Sequence, residues 1–183
     1  MTPLTLSLSV AALATTAGAA LFNLMIRRKN AVALAFASVD VMLKKRHDLI
    51  PKLVDTCRAH MGFEQNVLQA VSATRARAIA ADDEARMAIE GELSRQVKTV
   101  LAVAEAYPEL RSADSFDHLR RVITDVEEQI AAARRAYNAA VLAYNNACEM
   151  VPTNLAAKLM GYRLKAMFDF DEAGGSVKNS GPA

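Results

Sequence analysis

Metal and nucleophile chemistry would have to rest on three histidines and two cysteines, and their spacing assembles neither kind of site. His47, His60 and His118 form no HExxH pair and no other spacing that brings two imidazoles to one ion. Cys57 and His60 lie three residues apart on one helix and would supply two ligands, with two more required from elsewhere. Ordinary packing and solvent contacts are the reading taken for them. The seven glycines are scattered, and the sequence holds no Walker A loop, dinucleotide fingerprint or GxSxG turn. The expectation is a protein that is not an enzyme, with no catalytic residues, no metal and no cofactor.

What remains is polar chemistry in apolar places. Arg46 falls on an apolar stripe between Leu43 and Ile50. Two readings are open. In one, its aliphatic stem packs while the guanidinium reaches solvent or a surface carboxylate. In the other, Arg46 pairs with an acid such as Asp125 or Glu128 in a polar layer that fixes helix register. Lys44, Lys45 and His47 read as the solvated face of the same helix, with acidic lipid as a further contact. Tyr137-Asn138 and Tyr144-Asn145 repeat a Tyr-Asn pair seven residues apart, so the tyrosines share one face and the asparagines another. Tyrosine hydroxyls in a helical seam take backbone or side-chain partners, which favours a structural role over ligand binding.

The elements that must position these groups are helical. Apolar residues make up 52% of 183, aromatic residues 5%, and there is no Trp. This is enough apolar content for one core and is typical of helices, not sheets. The 22 basic and 20 acidic residues are intermixed and leave a formal charge of +2, which builds no field for nucleic acid. Cys57 and Cys148 are read as reduced core residues.

From Leu4 to Ile26 the chain carries no charge. At 1.5 Å per residue that stretch reaches roughly 34 Å, enough to cross a bilayer with some tilt. The small residues Ala17, Gly18 and Ala19 resemble a signal-peptide cleavage site, but no Lys or Arg precedes the run and it continues past them to Ile26. Arg27, Arg28 and Lys29 follow at once, and the positive-inside rule then places the C-terminal part in the cytoplasm and the N-terminus outside.

Beyond the basic flank, Phe36, Val39, Leu43, Ile50, Leu53 and Cys57 form a helical stripe running on from the membrane helix or after a short break near Asn30, with a kink expected at Pro51. Gly62 breaks the chain. Val67, Val71, Thr74 and Ala78 form a second stripe, Asp82 to Glu84 suit a helix start, and Leu93, Val97, Val100, Leu101 and Ala104 form a third. A loop begins at Tyr107-Pro108, and Ser112 or Asp114 caps the next helix. That helix has a near-heptad stripe: Phe116, Leu119, Ile123, Val126, Ile130, Ala133, Tyr137, Val141, Tyr144 and Cys148. Pro152 ends it, and Asn154 is expected to cap a short helix carrying Leu155, Leu159, Met160 and Leu164 that folds back over one end of the bundle. The predicted fold is all-α: an N-terminal transmembrane helix followed by a long antiparallel helical bundle. The expected domains are an anchor with its basic flank at 1–29, a bundle at 30–170 and a disordered tail at 171–183.

LKKRHDLIPKLVDT at 43–56 resembles the signature of the LemA family of bacterial membrane proteins. LAVAEAYPELRSADSF at 101–116, AAARRAYNAAVLAYNNA at 131–147, and Pro152, Asn154 and Leu155 resemble further blocks of that family, in the expected order from about Val32 to Phe168. The resemblance implies a short outside N-terminus, one transmembrane helix and a cytoplasmic antiparallel bundle, with no established activity or cofactor. Arg46, His47, Asp48, Pro51, Tyr137, Asn138, Tyr144 and Asn145 carry over as family-typical positions, not as catalytic ones. All but Pro51 form the candidate polar layer or contact. The expected role is a single-pass protein of the bacterial inner membrane acting as a non-enzymatic interaction scaffold, with the bilayer, a second copy or other membrane proteins as partners. The alternative is a small-ligand or lipid sensor with a polar pocket inside the bundle.

Overall fold

The computed structural model describes residues 3–59 and 64–168, and every regular element among them is a helix. In order they are α1 (Pro3–Arg58), α2 (Gln65–Ala80), α3 (Asp83–Ala104), the single turn α4 (Pro108–Arg111), α5 (Asp114–Glu149) and α6 (Thr153–Leu159). The all-α expectation holds. Helix α1 passes Asn30 without a break and is long and apolar enough to cross a membrane. Gly62, His60 and the tail at 171–183 lie outside the described residues.

Two compact units divide the chain: Met1–Ala37 with Arg135–Met167, and Ser38–Arg134 with Phe168–Ala183. In the second unit, one core collects Ile50, Leu53, Val54 and Cys57 of α1, Leu68, Val71 and Ala78 of α2, Leu93, Val97, Val100 and Ala104 of α3, Leu110, and Phe116, Leu119 and Ile123 of α5. Each large aliphatic chain buried there stabilises by about 1.5–3 kcal/mol. The stripes place most of these residues; at the start of α2 the buried position is Leu68, with Val67 only half-buried. The α2–α3 reversal is fixed by Asp82, whose side chain accepts from the Ala85 N–H at 2.9 Å and satisfies one of the donors left open at a helix start. Burial raises the Cys57 thiol to about 11, which keeps it protonated and unreactive.

Pro51 lies inside α1 and has no N–H to give the carbonyl of His47 four residues earlier. Arg75 of α2 supplies the missing donor, its Nε lying 2.7 Å from the His47 oxygen. A residue that weakens one helix thereby creates a tie between two.

The short helix α6 differs from its expected form. Its N-cap position is Pro152 with no side-chain cap bond, and Asn154 sits inside the helix. The buried face is Ala157, while Leu155 and Leu159 point outward and Leu164 lies beyond the helix end. A seven-residue helix buries only a narrow face, and here the smallest apolar residue occupies it.

Because Arg75 replaces a bond that only Pro51 removes, Arg75→Ala should cost on the order of 1 kcal/mol in the natural chain and clearly less in a Pro51→Ala background, as read by denaturant unfolding. Equal costs in both backgrounds would break the link.

Candidate functional site

Counting in sevens along α1, Met25, Val32, Val39, Arg46 and Leu53 are all buried. Arg46 therefore occupies a seam position that packing would give to an apolar residue, and it is 1% exposed. The reading in which its head reaches solvent is corrected. A guanidinium out of water must be paired and hydrogen-bonded, since an isolated buried charge is prohibitively costly.

Its partners come from α3 and α5. Nη2 forms an ion pair with Glu90, itself 1% exposed, and donates to the Glu90 carbonyl at 3.1 Å. Nη1 donates to Glu127 Oε1 at 2.9 Å and to the Ser94 hydroxyl, which in turn donates to Glu127 Oε2 at 2.8 Å. Asp125 and Glu128, the acids expected from sequence, both face solvent; Glu127 between them turns inward. His47 is buried as well, correcting its assignment to the solvated face, and its Nε2 lies 2.9 Å from Glu90 Oε1 without hydrogen-bond alignment. Arg86 pairs with Asp40 and brings its Nε to 3.9 Å from Glu90. Asp48 is exposed and takes no part in the layer, as do Lys44 and Lys45.

Burial alone would push the Glu90 carboxyl up, but the facing His47 and the Arg46 guanidinium together hold it below the ordinary range. Arg134, seven residues beyond Glu127 on α5, is shifted down by burial and by the like charge of Arg46, against the pull of Glu127 and Glu90. Its guanidinium stands over the Phe168 ring, 5.7 Å from the centroid. Glu90, Ser94 and Glu127 were not singled out in the sequence. The usable signal was positional: Glu90 continues the α3 stripe backward from Leu93, and Ser94 lies one turn further on.

In the first unit the Tyr-Asn repeat does different work. Helix α6 ends in a Schellman turn: Gly161 takes φ +67°, Tyr162 N–H reaches the Ala157 carbonyl at 3.0 Å, and Gly161 N–H reaches Lys158 at 3.1 Å. The chain then runs extended along α5. The Tyr144 hydroxyl donates to the Arg163 carbonyl at 3.1 Å, and Tyr137 makes a longer contact of 3.4 Å to Ala166. Asn145 holds Lys165 at both ends of its amide, donating to its carbonyl at 2.9 Å and accepting its N–H at 3.0 Å. Asn138 is buried. These groups form a strap fastening. A cleft of about 240 Å³ lies elsewhere, among Ala104, Glu105, Arg111, Phe116, Asp117 and Arg120. Among the described residues no group of three or more His, Cys, Asp or Glu side chains converges on a metal position.

The depressed Glu90 carboxyl fixes the sign of one prediction. A lowered folded-state value contributes stability that is present above the unfolded value near 4.3 and is lost as pH falls through the folded one. Glu90→Gln should therefore be clearly destabilised at neutral pH, and its gap from the natural chain should close below about pH 4. A gap independent of pH would contradict the charged pairing of Glu90.

Among curated proteins, the chain is 22% identical over 165 residues to the magnetosome protein MamQ of Magnetospirillum gryphiswaldense, covering 75% of this chain and 61% of that protein. It is 23% identical over the same length to the magnetosome proteins MamQ 1 and MamQ 2 of Paramagnetospirillum magneticum. The chain thus spans about 61% of the length of these relatives. The family profile of LemA matches residues 35–179, which takes in the buried arginine layer and the strap, and the chain belongs to the LemA family.

Proposed function

We propose that this protein is a single-pass, non-enzymatic scaffold of the bacterial inner membrane, anchored by the apolar part of α1, with its N-terminus outside and its helical bundle in the cytoplasm. The observation that carries the reading is the continuity of α1, which runs as one helix from the apolar stretch into the buried seam at Val39, Arg46 and Leu53. The anchor and the buried seam share one unbroken helix, as a docking platform tethered to the bilayer requires. The basic triplet Arg27, Arg28 and Lys29 supports the orientation.

Arg46, Glu90, Ser94 and Glu127 in the bundle interior are engaged by one another, which suits a structural role. Leu34 and Val41, seven residues apart on α1, are large apolar side chains left exposed on one helix face. A helix presenting such a stripe suits self-association or a partner helix. A ligand sensor built on Arg46 and the Tyr-Asn pairs gains no support from side chains already committed within the chain.

Mild cross-linking in native membranes, followed by purification and mass spectrometry, tests this reading. The expected outcome is a reproducible cross-linked species, either a second copy or a membrane protein, that Leu34→Glu with Val41→Glu removes while the helical circular dichroism signal is kept. A monomer with background proteins only would overturn it.

A further inference from the structure

The first unit carries a register that can be followed toward the membrane end of α1. Phe36 packs on Tyr137 with ring centroids 5.8 Å apart. Seven residues back along α1, Lys29 Nζ stands 5.3 Å from the centroid of the Tyr162 ring, and that ring lies 6.0 Å from Tyr144, seven residues forward along α5. The two helices run antiparallel, each advancing about 10 Å per seven residues. A second step of seven brings Phe22 toward the C-terminal end of α5 at Glu149, with Val151 just beyond it, past the Arg27–Lys29 flank and into the apolar run. Burial agrees: Met25 is fully covered within a stretch of α1 whose neighbours are mostly exposed.

At that level the chain turns from α5 into α6 and exposes Met150, Val151 (78%), Leu155 (67%) and Leu159 (87%). Leu155 and Leu159 are one turn apart on α6, with Ala157 buried on the other side and exposed Lys158 beside them. Arg163 and Lys165 are also exposed just beyond the helix. Four large exposed apolar side chains at one chain reversal mark an interaction surface. Apolar residues rimmed by Lys and Arg, continuous with an apolar helix that leaves the bilayer at the same height, match the boundary between acyl chains and anionic headgroups.

We propose that the α5–α6 corner, Met150, Val151, Leu155 and Leu159, is a second membrane contact that seats in the headgroup layer of the leaflet from which α1 emerges. This inference rests on the reading of α1 as the membrane anchor. Two contacts on one unit, a spanning helix and an interfacial corner, fix both the tilt and the rotation of that unit, which a lone helix leaves free.

The chain has no Trp, so single-Trp variants report without background. Leu13→Trp, Val151→Trp, Leu155→Trp and Ile79→Trp would be placed in the full chain and reconstituted in phosphatidylcholine–phosphatidylglycerol vesicles containing brominated acyl chains. Bromine quenches only Trp that touches the acyl region. Quenching at residues 13, 151 and 155, strongest at 151 and 155 when the bromine lies near the headgroup end, with none at Ile79 on α2, is the expected result. Quenching at 13 alone would overturn the corner contact and leave the anchor standing. No quenching at 13 would overturn the anchor reading itself. Blue-shifted emission at 151 and 155 without quenching would assign the corner to a second protein copy and overturn the proposal.

Discussion

A guanidinium enclosed by three helices is the constraint on which the second unit depends. Arg46 stands in a seam where every seventh residue is otherwise apolar, and its positive charge is tolerated only because Glu90, Ser94 and Glu127 meet it from two other helices. Sliding or rotating any of the three by one residue would leave a charge buried without its counterion. Removing one partner of such a layer costs about 3–5 kcal/mol, whereas replacing the whole layer with apolar residues is often neutral or stabilising. The layer is therefore better understood as setting register than as adding stability. His47 and Arg86 extend it on the α1 and α3 sides, so several charges share one polar patch within an otherwise apolar core.

Helix periodicity made most of the fold legible. Apolar residues at steps of three and four located every long helix, the near-heptad stripe of α5 included. The arginine layer was half legible. Arg46 announced itself by interrupting a stripe, but its acids did not, because Glu127, Asp125 and Glu128 are near neighbours on α5 and only the rotation of that helix decides which one turns inward. Burial of His47 was missed for a related reason: a wide stripe buries two adjacent positions, and the charged residues around it suggested solvent. For α6 the pattern misled, since Leu155 and Leu159 look like a core face and are exposed. Amphipathic spacing reports that a face is apolar without saying which medium covers it.

The strap shows the same distinction between pattern and purpose. The Tyr-Asn repeat at one heptad did signal a shared environment, and its partners are main-chain groups of residues 163–166. Asn145 pairs with Lys165 much as a neighbouring strand would, satisfying an extended segment that has no sheet to join. The segment belongs to the chain, so these polar side chains are accounted for without a ligand. Taken with the unbroken α1, they give the first unit the character of a braced stem.

Coupling between Arg46 and Glu127 tests the register-setting layer most directly. A double-mutant cycle of Arg46→Met and Glu127→Gln, measured by denaturant unfolding of the detergent-solubilised protein, should return an interaction energy of at least about 1 kcal/mol, with the double variant recovering part of what Arg46→Met or Glu127→Gln alone loses. Additive single effects, with no recovery, would contradict the account.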